Sequence, residues 1–449
     1  MSALSPAPSS TSFWRAPHPQ GPVDATVEVP ASKSLTNRYL ILAALADGPS
    51  RLRGPLHSRD AQLMVDALES LGARVEEVDG DGTFGPDLLV TPIPAGASGD
   101  ASVDCGLAGT VMRFVPPLAA LRSGRTSFDG DPHARRRPMG AVIRALRGLG
   151  VKVQDDSDDS GQGALPFTVA GGSVVRGGRL VIDASASSQF VSALLLVGAR
   201  FTDGLHLEHV GKPVPSLDHI AMTVRVLRDV GVEVDDSVPN HWRVAPGRIS
   251  AFDVRIEPDL SNAGPFLAAA LATGGTVRIP HWPAETTQVG QKWRTILPQL
   301  GADVALTEDS TLVVRGTGTI TGAELADTSE LAPTVAALCA LARTASVLTG
   351  IGHLRGHETD RLAALVAEIT RLGGDAEETD DGIIIRPAAL HGGPFHTYED
   401  HRMATAGAIL GLAVDGVDVE NIATTGKTMP QFPQLWEAMA ATAKPSGSR

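Results

Sequence analysis

The run 30–38, Pro-Ala-Ser-Lys-Ser-Leu-Thr-Asn-Arg, sets a lysine, an arginine and three hydroxyls directly ahead of the apolar stretch 39–46. If Ser32 or Ser34 caps a helix there, unpaired N–H groups, the positive end of the helix dipole, Lys33 and Arg38 share one small volume that suits an anion. The same residues also fit a capped surface helix with two solvated cations.

Further polar clusters lie along the chain. Gly109-Thr110 before Met112-Arg113 offers a backbone that a ligand can approach closely, or an ordinary turn. The segment 133–138, His-Ala-Arg-Arg-Arg-Pro, carries three guanidinium groups shaped for carboxylate or phosphate, or a solvated loop. Ser185, Ser187, Ser188 and Gln189 form a hydroxyl and amide array suited to phosphate oxygens and neutral hydroxyls; simple capping accounts for one of them. His357-Glu358-Thr359-Asp360-Arg361 and Glu399-Asp400-His401-Arg402 mix carboxylates, imidazoles and arginines, which surface salt bridging would also produce. Thr425-Gly426-Lys427-Thr428 ends like a phosphate loop, but Asn421 stands where the first glycine is required, which excludes a nucleoside triphosphate loop.

The elements that must position these clusters repeat. A glycine closes an amphipathic segment at Gly72, Gly150, Gly231, Gly301 and Gly373, and each is followed by a short alternating stretch. Helix, glycine cap, then strand is the expected order. A second series of small-residue apolar helices starts near Ser34, Thr110, Ser188, Ser261, Glu330 and His401, and their uniform apolarity predicts burial. Six α/β units follow, three to a lobe. The predicted N-terminal lobe is 32–250, and the C-terminal lobe is 21–31 with 251–440. Residues 1–20 are expected as a disordered tail and 441–449 as a flexible one. Phe252 is expected to open the fourth unit, with chain crossings near Pro30 and at 248–255.

Composition narrows the partners. A formal charge of -13 argues against nucleic acid or anionic membrane, so an anionic ligand must be held by local cations. Two cysteines, Cys105 and Cys339, supply neither a disulfide framework nor a zinc cluster. Residues 1–20 lack the apolar core of a signal peptide, and no stretch reaches the ~18 apolar residues of a membrane span. A cytoplasmic protein is expected.

Taken in order, the run 30–38, Leu107 to Arg113, Arg137-Pro138, Ser187-Ser188-Gln189, Glu358 to Arg361, Asp400 to Ala404 and Lys427-Thr428 resemble the 5-enolpyruvylshikimate-3-phosphate synthase family over residues 20–436. The resemblance implies a two-lobed α/β enolpyruvyl transferase-like fold of six βαβαββ repeats, three per lobe, with the active site in the interdomain cleft. It implies transfer of the enolpyruvyl group of phosphoenolpyruvate to the 5-hydroxyl of shikimate 3-phosphate, in the shikimate pathway. Neither a metal nor an organic cofactor is implied, and the expected form is a monomer.

Carried over by position, shikimate 3-phosphate falls to Lys33, Ser34, Arg38, Ser187, Ser188, Gln189, Ser216, Glu330 and His357. Phosphoenolpyruvate falls to Lys33, Gly109, Arg137, Gln189, Arg361, Arg402 and Lys427. Lys33, Glu330 and Glu358 are the expected proton-transfer groups. The sequence departs from the family pattern at Leu107 and Phe114, at Glu330 for an aspartate, and at His353 and His357, which leaves glyphosate sensitivity open. Two rival readings are a UDP-N-acetylglucosamine enolpyruvyl transferase, disfavoured because neither cysteine lies on a loop of the required kind, and a noncatalytic anion-binding protein of this fold.

Overall fold

The computed structural model describes residues 12–155, 163–172 and 174–444. Contacts divide them into two compact units. The Lys33 unit comprises Glu28–Ala263 and His281–Gln291. The Arg361 unit comprises the described residues up to Val27, then Gly264–Pro280, then the described residues from Lys292 onward.

The described helices come in pairs. They are α1 (Lys33–Leu45) and α2 (Arg59–Ser70), α3 (Gly109–Ala119) and α4 (Gly140–Gly148), α5 (Gln189–Gly198) and α6 (Leu217–Asp229), α7 (Leu260–Thr273) and α8 (Trp293–Gln299), α9 (Ala332–Ala340) and α10 (Arg361–Arg371), and α11 (His401–Ala413) and α12 (Phe432–Ala440). The first member of each pair is the apolar one. In α1 the five residues from Leu40 to Ala44 are all 0% exposed, and each buried leucine or isoleucine there contributes about 1.5–3 kcal/mol relative to exposure. The second member is two-faced and, in five pairs, ends on a glycine. Gly72, Gly150, Gly231, Gly301 and Gly373 all have φ between +82° and +106°, a backbone that side chains other than glycine rarely adopt. At α2 the closure is explicit: Gly72 N–H donates to Glu69 O at 2.9 Å and Ala73 N–H to Leu68 O at 3.0 Å.

Each repeat builds one small sheet with one topology. In the second repeat, strand Ala101–Asp104 runs parallel to Gly124–Asp129, which pairs antiparallel with Phe167–Gly171, which pairs antiparallel with Lys152–Asp155. Five four-stranded sheets follow this scheme, and a three-stranded sheet serves the sixth repeat.

Three expectations change where the pairing partner is remote. Strand Asp253–Arg255 does not open the fourth repeat; it runs parallel to Ser50–Arg53 and completes the first, within the Lys33 unit. The fourth repeat is opened by Asp24–Thr26, parallel to Thr276–Ile279. Three-residue strands carry too little periodicity to declare a partner. The predicted tail 1–20 contains a strand, Phe13–Arg15, antiparallel to Val417–Glu420 in the sixth repeat, with Arg15 paired to Asp418 at 2.7 Å. Residues 1–11 lie outside the described residues. Of the predicted C-terminal tail, Thr442 is fastened by Asp24 N–H donating to its Oγ1 at 3.1 Å, and 445–449 lie outside the described residues. No helix among the described residues is long and apolar enough to cross a membrane.

Candidate active site

In the Lys33 unit, the first turns of α1, α3 and α5 lie side by side. Ser32 caps α1 by accepting from Leu35 N–H, so the helix begins at Lys33 and its positive end lies beside the lysine. Lys33 Nζ donates to Asp60 Oδ2 at 3.1 Å while keeping 19% of its side chain exposed, and its backbone N–H donates to Asp259 Oδ2 at 3.3 Å. Asn37 Nδ2 donates to Thr110 Oγ1 at 2.6 Å, tying α1 to α3. Arg113 Nη1 donates to Gln189 Oε1 at 3.1 Å, tying α3 to α5.

Gly109, the first residue of α3, is where the structure needs a missing side chain. A Cβ there would lie 2.7 Å from Arg113 Nη1 and 3.1 Å from both terminal nitrogens of Arg137, so any other residue would push these guanidinium groups away. Gly109, Arg137 and Gln189 are therefore held together, with Arg113 between them. Ser187 Oγ accepts from Gln189 N–H at 3.2 Å, Ser188 is buried, and Ser216 opens α6 in a left-handed conformation at φ +52°. Ser34 is half-buried at the start of α1. Arg38 lies deeper in the unit than Lys33. It is 1% exposed and donates to Thr223 Oγ1 at 2.8 Å, Ser34 O at 2.9 Å and His219 O at 3.0 Å, so protein encloses it and it fastens α1 to α6.

In the Arg361 unit the predicted residues close on a charge network. Asp360 caps α10, which starts the helix at Arg361. Arg361 donates to Asp400 through Nε at 2.8 Å and Nη2 at 3.2 Å, and through Nη2 to Glu358 Oε2 at 2.9 Å. Burial alone would disfavour its charge, but Asp400 and Glu358, with Glu330 further away, outweigh that and hold the guanidinium above its ordinary range. Lys427 Nζ donates to the other oxygen of Glu358 at 2.6 Å. His357 Nδ1 accepts from Arg361 Nη1 at 3.2 Å. Asp400 also caps α11, accepting from the Arg402 N–H at 2.8 Å. Glu330 sits in a 3-10 turn ahead of α9 and accepts from Ser329 Oγ at 2.9 Å.

Four residues that sequence reasoning left out of the site contact the candidate residues directly: Asp60, Arg113, Asp259 and Asp400. Arg113 and Asp400 stand inside quoted motifs, and their mixture with apolar helix starts was the available signal. Asp60 and Asp259 carried none, because their contact with Lys33 spans 27 and 226 residues of chain.

Comparison with known proteins decides what this arrangement belongs to. The model of the EPSP synthase (3-phosphoshikimate 1-carboxyvinyltransferase) family matches residues 17–436. The chain belongs to the EPSP synthase family. A 3-phosphoshikimate 1-carboxyvinyltransferase from Kocuria rhizophila is 59% identical over 436 residues, which is 96% of this chain and 97% of that protein. Two solved structures of EPSP synthase from Acinetobacter baumannii share the EPSP synthase fold with it at TM-score 0.76 and 23% identity, covering 95% of this chain and 97% and 98% of theirs. The predicted two-lobed α/β class of six repeats is the fold observed.

Proposed function

We propose that this chain transfers the enolpyruvyl group of phosphoenolpyruvate to the 5-hydroxyl of shikimate 3-phosphate, giving 5-enolpyruvylshikimate 3-phosphate and phosphate. The observation that carries this is the 59% identity to the Kocuria rhizophila 3-phosphoshikimate 1-carboxyvinyltransferase along almost the whole of both chains.

The reaction adds the 5-hydroxyl oxygen to C2 of phosphoenolpyruvate while a proton reaches C3, forming a tetrahedral adduct. The adduct then loses a proton from C3 as the C2–O bond to phosphate breaks. An acid and a base must serve that carbon, and cations must hold two ligands that repel each other. In this reading, Ser34, Arg38, Ser187, Ser188, Gln189 and Ser216 take shikimate 3-phosphate, with Glu330 and His357 at its ring, and Arg38 also fastens α1 to α6. Gly109, Arg137, Gln189, Arg361, Arg402 and Lys427 take phosphoenolpyruvate, and Lys33 serves both.

The pairing of Glu358 gives this scheme a sequence of events. Lys427 and Arg361 both donate to Glu358, and an arriving phosphate or carboxylate competes for the same donors. Ligand binding then frees the Glu358 carboxylate for proton transfer, with Lys33 and Glu330 as the other proton-handling groups.

The UDP-sugar alternative gains nothing from Cys105, which is fully buried and whose thiol burial pushes up to about 12. The enzyme acts in the cytoplasm as a monomer, which light scattering checks against 46.6 kDa. The deciding experiment is phosphate release from phosphoenolpyruvate with shikimate 3-phosphate or UDP-N-acetylglucosamine as acceptor. Turnover is expected with the first alone; turnover with only the second, or with neither, overturns the reading.

A further inference from the structure

Glu368 lies in α10, seven residues beyond Arg361 and so about 10 Å along the helix from it. It is 0% exposed, yet a buried carboxylate must be paired or heavily hydrogen-bonded to remain there. Its oxygens are fully used: Oε1 accepts from Tyr398 Oη at 2.7 Å, and Oε2 accepts from His396 N–H at 2.8 Å and Arg371 Nε at 3.1 Å. Two of these donors belong to the short segment that leads into α11. That segment is strained, with Tyr398 at φ +54° and Glu399 at φ +57°, neither of them glycine. Immediately after it comes Asp400, which holds the Arg361 guanidinium and the Arg402 backbone N–H.

We infer that Glu368 is a positioning residue for phosphoenolpyruvate, clamping the 396–399 segment through Tyr398 and His396 so that Asp400 aims Arg361 and Arg402. The contacts form a closed ring: α10 carries Glu368, Glu368 holds the segment, the segment presents Asp400, and Asp400 returns to the first residue of α10. A second tether acts on the same segment, since Glu420 Oε2 accepts from Thr397 N–H at 3.2 Å and Glu399 accepts from Asn421 Nδ2 at 3.3 Å. These contacts hold the segment near its place when one link is cut. Loss of the clamp therefore misaligns the two arginines without unfolding the unit. Tyr398 remains a neutral hydroxyl donor throughout the working range, because burial and the Glu368 carboxylate push its hydroxyl up to about 12.

The inference rests on the proposed function, and steady-state kinetics of the full chain separates the two. Glu368→Gln offers an amide N–H or a weaker acceptor where Tyr398, His396 and Arg371 all donate. KM for phosphoenolpyruvate should rise about tenfold or more, with KM for shikimate 3-phosphate within about twofold, since displacement near 1 Å at a binding group has effects of this size. Tyr398→Phe removes one donor, and a rise of about threefold in the same constant is expected; it also serves if Glu368→Gln does not fold. Should both KM values stay unchanged in Tyr398→Phe, or kcat alone fall with the folded fraction, Glu368 is a packing residue and the inference is overturned. Wild-type protein without turnover on the two substrates overturns the function and this inference together.

Discussion

Lys33 meets Asp60 with 19% of its side chain exposed, whereas Arg361 at 2% lies against Asp400 at 0% and Glu358 at 9%. The two units thus hold their cations under different electrostatic conditions. In the Lys33 unit one lysine is assisted by hydroxyls and by helix starts whose N–H groups carry partial charge, and such a surface can receive an anion with little rearrangement. In the Arg361 unit, Arg361 and Lys427 are themselves almost fully buried against Asp400 and Glu358, whereas Lys33 meets Asp60 while keeping part of its side chain in water. Desolvating those charges costs several kcal/mol each, and the pairing offsets that cost only while every partner is in place. Cationic groups of the two units can therefore differ widely in what their removal does to the fold.

Several substitutions would break or sharpen this contrast. The largest effect is expected from Lys33→Met, which removes the exposed cation and should lower kcat roughly 10³-fold, the scale of losing a preorganised charge, with the melting temperature little changed. Near-normal turnover would discard the role of Lys33. Glu358→Gln should lower kcat by about 10²-fold or more in the same assay, and a change confined to KM would refute its proton-transfer role. For stability the ranking reverses between units. Asp400→Asn strips a buried partner from a buried Arg361 and should cost about 3 kcal/mol in urea denaturation, while Asp60→Asn, a buried carboxylate facing a partly hydrated lysine, should cost less, about 1–2 kcal/mol. Equal losses would dissolve the distinction.

The smallest effect concerns one thiol in each unit. Burial pushes Cys105, in the Lys33 unit, to about 12 and Cys339, in the Arg361 unit, to about 11, against an ordinary 9.0. A raised thiol value means that the native state keeps a proton which the unfolded chain has lost. Stability is accordingly intact below pH 9 and falls as pH rises from 9 toward 11 or 12, by about 1.4 kcal/mol per unit per thiol. At pH 8 alkylation of each thiol should proceed only through opening of its own unit, so mass spectrometry of the two labelled peptides ranks the units by stability. Rapid labelling of the native protein at pH 8 would contradict this burial.

Much of the architecture was legible because it is written locally. The helix start at Ser32 and Lys33, the glycine after α2, α4, α6, α8 and α10, and the apolar helices between them each depend on a few neighbouring residues. The polar clusters were legible as clusters for the same reason. What escaped was pairing between distant segments: the strand Phe13–Arg15 inside a Ser- and Pro-rich start, and the strand Asp253–Arg255 that completes the first repeat. Arg38 stands in the right motif, but sequence could not say that its guanidinium turns inward to Thr223 and the His219 carbonyl.

By itself the sequence determined six α/β repeats, the residue types gathered at their helix starts, and a family resemblance specific enough to state a reaction. These follow from local backbone preference, from periodicity and from short motifs. Tertiary structure alone decided which carboxylate answers which cation: Asp60 for Lys33, Asp400 and Glu358 for Arg361, and Glu368 for the segment between them. Hydrogen bonds and charge pairs act over about 3 Å, and only the folded chain brings residues tens or hundreds of positions apart within that distance.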